Sequence, residues 1–233
     1  MKDLPPPARV PLLVLGFVAL VAGIAGGLAR LGAGLPAPVM GIAWHGALMA
    51  SGFFGTLIAL ERAVAVGRLW AYAAPALCGA GALALLLGAA IPGFALMVAG
   101  SAVLAIASVM IAARHRALHT GVLALGALCL PAANLWLVSL GALERAVPLW
   151  IAFFVLTIGG ERLELSRLVP VPPAMRKLFG ALCLALAAAA ALDVVPALGI
   201  VMVAMAANWG KHEPGNPAAG ANRHIEALLK GLP

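Results

Sequence analysis

The chain has 233 residues, 64% of them hydrophobic and 10% charged, whereas soluble domains carry about 25% charged residues, so a soluble globule is excluded. Its formal charge of +7 invites a nucleic-acid reading, but the basic residues are spread over short segments beside apolar runs, where they act as orientation signals and lipid-headgroup contacts. The fold class is therefore all-α: a polytopic membrane helix bundle in contact with the lipid bilayer, with no nucleic acid among its partners.

Eight apolar spans are predicted in chain order: Val10 to Leu28, Val39 to Leu60, Tyr72 to Ile91, Phe94 to Ala113, Thr120 to Leu140, Val147 to Gly160, Leu178 to Leu192 and Val194 to Trp209. The first five cross roughly 30 Å of hydrocarbon at about 1.5 Å per residue. The last three are shorter, so either their flanking turns are helical too or the bilayer thins there. Residues 1–9 form a short lead with three consecutive prolines, and residues 210–233 a polar flexible tail. Pro92-Gly93 reads as the turn between spans three and four, and Asp193 as the N-cap of span eight.

Threaded alternately, the spans place thirteen of the fifteen Lys and Arg residues on one side. They are Lys2 and Arg9, Arg62 and Arg68, Arg114 and Arg116, the group Arg162, Arg167, Arg176 and Lys177, and finally Lys211, Arg223 and Lys230. Only Arg30 and Arg145 fall opposite. Short basic loops resist translocation, so both termini are expected in the cytoplasm of a bacterial inner (plasma) membrane. Merging the last two spans would weaken the split, which favours eight spans over seven. Glu61, Arg62, Glu161, Arg162, Glu164 and Arg167 mark the cytoplasmic helix ends. Cys78, Cys129 and Cys183 lie in apolar runs without C-x-x-C spacing and read as small buried side chains.

The densest chemistry is in span two, where His45 lies on the order of 9 Å below the outer edge. Met49 follows one turn deeper on the same face. An imidazole and a thioether so placed could ligate haem iron or Cu(I). The plainer alternatives are an interfacial Trp44-His45 pair or a hydrogen bond to a neighbouring helix. Asn134 and Ser101 count to a similar depth, which predicts a shared polar layer with His45 near the outer leaflet. His115 and His119 sit in R-H-R-A-L-H-T and read as a solvated basic loop. No nucleophile–base pair, phosphate loop or H-E-x-x-H occurs, so no catalytic residue is assigned.

The runs H-G-A-L-M-A-S-G-F-F-G-T-L-I-A-L-E-R-A-V and L-T-I-G-G-E-R-L-E-L-S-R resemble a group of bacterial polytopic membrane proteins similar to the NnrS-like nitric-oxide-response proteins. More distantly they resemble haem-copper oxidase subunit I. The resemblance implies a haem- or copper-linked role in nitric oxide or respiratory metabolism, with His45 as the matching intramembrane ligand. It also implies a departure, because that group continues into spans with a second histidine-bearing helix and this chain enters its polar tail after Trp209. Three readings stay open: a truncated or frame-shifted member, ligands supplied by a second copy, or no metal at all. The rival class is a small-molecule or ion permease, or a non-catalytic assembly partner, alone or as a homo-oligomer. Acidic residues confined to span ends and loops argue mildly against a proton-coupled pump.

Overall fold

The computed structural model describes residues 3–34, 36–141, 143–165 and 172–210. Among them there are eight helices and no strand: α1 (Pro6–Arg30), α2 (Val39–Val66), α3 (Leu69–Leu86), α4 (Ala90–Arg114), α5 (Leu118–Leu140), α6 (Leu143–Leu165), α7 (Pro173–Ala191) and α8 (Val195–Gly210). The first seven are long and apolar enough to cross a membrane, and α8 is an apolar helix of 16 residues. Helix is what such sequences must form there, since hydrocarbon offers no partner for an open N–H or C=O. The short sixth and seventh apolar runs do extend through their flanks, α6 to 23 residues and α7 to 19. The expectations for Arg167, and for the tail from Lys211 onward, fall outside the described residues.

Three local expectations are corrected. The turn between α3 and α4 is at Leu87–Ala89 rather than Pro92-Gly93. Gly88 takes φ +88°, the Ala89 N–H reaches the Ala84 carbonyl at 2.9 Å, and the Gly88 N–H reaches Leu85 at 3.1 Å. That is a Schellman closure. Pro92 instead sits in the first turn of α4, where a missing N–H costs nothing. Asp193 likewise ends α7 instead of capping α8. It adopts φ +59°, with the Val194 N–H on the Ala189 carbonyl at 2.9 Å. The lead expected at residues 1–9 is in part helix, because α1 starts at Pro6 with Pro5 as its N-cap.

Helices adjacent in sequence pack side by side, so the short connections enforce antiparallel neighbours. Helix α2 is central and touches α1, α3, α4, α5 and α6. Small residues make this possible, because helices in lipid associate through close van der Waals packing. A Cβ on Gly26 of α1 would land on the backbone carbonyl of Gly41 in α2. Gly81 and Gly93 allow α3 and α4 the same approach. The core is closed by Phe153, Leu156, Leu130 and Met97, all fully buried.

Before α1, Asp3 ties the chain to the start of α3. Its carboxylate accepts the Tyr72 hydroxyl at 2.7 Å and the Leu4 N–H at 2.8 Å, and pairs with Arg9 at 2.8 Å. The Tyr72 hydrogen bond, with help from the Leu4 N–H and the Arg9 charge, holds the Asp3 carboxyl below its ordinary 3.8 despite an opposing push from partial burial. A depressed value means the tether holds at neutral pH and is lost as pH falls below 3.8 through the lowered one. The native cysteines are buried, so a fluorophore on Leu4→Cys reports this selectively. Its anisotropy should drop over that acid range, and Asp3→Asn should remove the step.

Candidate functional site

Helix α2 departs twice from α geometry, and both departures aim side chains. Trp44 has φ −119° and ψ 23°, a kink one residue before His45. Leu48–Phe54 then forms a π-helical stretch, closed by the Gly55 N–H on the Ala50 carbonyl five residues back. Such bulges insert a residue into the turn, rotate the downstream side chains and recur at functional sites.

His45, before the π stretch, and Met49, in its first turn, lie one turn apart over the glycines of α1. The His45 ring passes 3.5 Å from where a Gly27 side chain would begin, and the Met49 thioether occupies the space left by Gly23. Both line an apolar groove of about 330 Å³ between α2 and α6, with Trp44, Trp150 and Phe154 in its walls. The Nδ1 of His45 makes a long 3.4 Å contact with the Ile42 carbonyl. A proton on Nδ1 satisfies that contact and leaves the Nε2 lone pair free, the tautomer a metal takes.

Below, the π stretch places Ser51 on a different face, pointing into the bundle. Its hydroxyl donates to the Asn134 side-chain oxygen at 2.6 Å, and the Trp150 indole N–H donates to the same oxygen at 3.3 Å. The Asn134 amide nitrogen donates to the Ser101 hydroxyl at 3.2 Å and to the Met97 carbonyl at 3.4 Å. Ser101 in turn donates to Met97 at 2.6 Å. Ser51 and Ser101 are 0% exposed and Asn134 1%, so one amide on α5 ties together groups on three other helices, α2, α4 and α6.

Asn134 and Ser101 therefore do share a polar layer, as expected, but His45 is not in it. It is half-buried against α1 and the α2–α6 groove. Counting from span edges misplaces it because the helix ends are not level. Ser101 lies eleven residues beyond the start of α4, whereas Asn134 lies six before the end of α5. Sequence reasoning misses Ser51 and Trp150. A serine six residues below His45 within S-G-F-F-G, and a tryptophan well inside α6, are the available signals.

At the opposite end, the charged helix ends do gather. Glu161 lies within electrostatic reach of Glu61, Arg62 and Glu164. Arg162 borders an apolar hollow between α6, α7 and α8. His119 corrects another expectation: it is 8% exposed, hence packed rather than solvated. Helix α5 begins at Leu118 and carries His119 inward against α6, where its carbonyl meets Gly160.

A family model described as a domain of unknown function (DUF8744) matches residues 9–213. The chain belongs to that family. No curated protein and no solved structure matches it. The DUF8744 match takes in the groove, the buried amide cluster and the basic end alike. Among the described residues, no cluster of three or more His, Cys, Asp or Glu donors exists that could hold a metal. One DUF8744 chain thus offers a metal at the groove one imidazole and one thioether.

Proposed function

We propose that this is an inner-membrane protein, both termini cytoplasmic, whose α2–α6 groove takes a haem or copper near the outer leaflet through His45 and Met49. One observation carries the reading: a histidine whose Nδ1 lies 3.4 Å from a backbone carbonyl and a methionine one turn deeper, both lining the same groove. The donor set fits a low-coordinate Cu(I), which accepts imidazole and thioether. For haem, His45 would be the one nitrogen donor at the groove, with any further ligand coming from elsewhere. Bound there, either group would supply electron transfer or nitric oxide binding, in line with the resemblance to NnrS-like proteins. The chain's own part is to hold the imidazole tautomer through Ile42 and to exclude water with Trp44, Trp150 and Phe154.

The topology rests on charge. Eight of the ten described Lys and Arg residues stand at one end of the bundle, and Arg30 and Arg145 at the other. The permease reading has less support, because Ser51, Ser101 and Asn134 bond to one another at the centre.

Full-length protein extracted from membranes should show a Soret band or near-stoichiometric copper by metal analysis. His45→Ala should abolish that signal, and His119→Ala, at the far end of the bundle, should leave it intact. Protein with neither haem nor copper would overturn the cofactor reading. Cysteine labelling of the C-terminal residues from the periplasm would overturn the topology.

A further inference from the structure

At the basic end, the three-residue connection from α4 to α5 folds over a hollow of about 540 Å³. Arg62 of α2, Arg114 of α4, and His115, Arg116 and His119 line it, with Glu164 of α6 as the one acid. Three guanidiniums against one carboxylate leave an excess of two positive charges with the imidazoles neutral.

We propose that this hollow is a binding site for a phosphate-class anion, filled either by the headgroup of an anionic lipid or by a soluble phosphorylated compound. Four features support it. The arginines come from two segments far apart in sequence and converge on one concavity, whereas an orientation signal needs them only somewhere in a loop. Among the described residues, Arg114 and Arg116 form no ion pair, and Arg62 pairs with its exposed neighbour Glu61 at 3.4 Å and lies within electrostatic reach of Glu161. Arg62 itself is 11% exposed, so its charge forms the base of the hollow rather than its rim. The first turn of α5 enters the same hollow through His119 and Thr120, adding the positive end of a 23-residue helix.

The guanidinium fork matches phosphate oxygens two at a time, which selects phosphate over a monovalent halide. Ala65, Val66, Ile111 and Leu123 complete the lining, and apolar walls weaken competition from water and lengthen the reach of the charges. The site is separate from the His45 groove and does not depend on any cofactor there.

The test uses the full chain in neutral detergent, titrated with inorganic pyrophosphate, and the same protein in nanodiscs of phosphatidylglycerol or phosphatidylcholine with retained lipid read by native mass spectrometry. Saturable pyrophosphate binding identifies a soluble ligand. Selective retention of phosphatidylglycerol, without pyrophosphate binding, identifies a lipid headgroup. Arg114→Gln with Arg116→Gln should weaken whichever binding is seen by about tenfold or more, since two charge-assisted contacts are lost. Arg176→Gln with Lys177→Gln removes equal charge from the same end outside the hollow and should change it by less than about twofold. If the double variant does not fold, Arg116→Gln alone, in the connection beyond α4, carries the comparison. Binding of neither anion, or an equal loss in the control pair, would overturn the proposal.

Discussion

Asn134→Leu should destabilise the protein by about 2 kcal/mol, far more than its modest change in volume suggests. The Asn134 side chain makes four hydrogen bonds, to Ser51, Trp150, Ser101 and Met97. Hydrogen bonds between membrane helices average about 0.6 kcal/mol each, because the unfolded chain also finds partners in the bilayer. The sum is near 2 kcal/mol. An orphaned buried donor costs on the order of 1–3 kcal/mol, which gives the same scale from the other direction. The Ser51 hydroxyl can rotate to a carbonyl of its own helix, but the Trp150 indole N–H is fixed in its ring plane and loses its acceptor outright. Ser101→Ala should cost under about 1 kcal/mol, because its proton goes to Met97 of its own helix and the Asn134 amide keeps Met97 as well. Reversible SDS unfolding of both variants tests the contrast, and equal losses would remove the special place of Asn134. Trp150 also walls the His45 groove, so Asn134→Leu should loosen any ligand held there.

Gly26→Ala should be worse still, by about 3 kcal/mol, at the upper end for overpacking. The added methyl meets the backbone of Gly41 and, at 2.9 Å, the Ile42 nitrogen. Backbone atoms cannot rotate aside, so α1 and α2 must separate and forfeit contacts along the interface. Two neighbours on α1 serve as internal controls. At Gly23 the new methyl meets the flexible Met49 thioether at 2.9 Å, which can swing away at a smaller cost. At Gly27 it meets only the His45 ring at 3.5 Å, an ordinary contact, and stability should hold within about 0.5 kcal/mol. The expected order of unfolding midpoints is therefore Gly27→Ala above Gly23→Ala above Gly26→Ala. Gly26→Ala matching Gly27→Ala would mean the two helices are not in backbone contact. Because Gly23 and Gly27 make the space that His45 and Met49 fill, their alanine variants should perturb a ligand in the groove without unfolding the bundle.

Much of the architecture is legible from hydropathy alone. All eight apolar runs are helices, and α6 extends to Leu165 even though its apolar run stops near Gly160. The helix ends are less legible. Turn chemistry points to Pro92-Gly93 for the α3–α4 connection, yet a glycine able to take positive φ lies four residues earlier and ends α3 first. Asp193 reads as a cap because acidic side chains suit helix N-termini, but the chain there needs a left-handed residue, and Asp tolerates that conformation better than most.

The candidate site is legible in its parts and not in its assembly. Depth pairs Asn134 and Ser101 correctly. It joins His45 to them wrongly, since the helix ends are not level and the layer meets α2 at Ser51, six residues beyond His45. Ser51 is absent from the expected layer because regular α periodicity gives no warning of a π stretch, and Trp150 because its ring reads as apolar.

What the sequence by itself determined is the set of long apolar helices and the grouping of the basic residues at their ends. Those are consequences of local composition, since a segment in hydrocarbon must satisfy its own backbone whatever its neighbours do. Only the tertiary structure decided that Asn134 meets Ser51 and Trp150, that His45 turns to α1 and the α2–α6 groove, and that Arg62 joins Arg114 and Arg116 around one hollow. These depend on the rotation and level of each helix. Both are set by backbone contacts such as Gly26 on Gly41 and by the kink at Trp44, and neither leaves a mark in an apolar pattern that looks the same on every face.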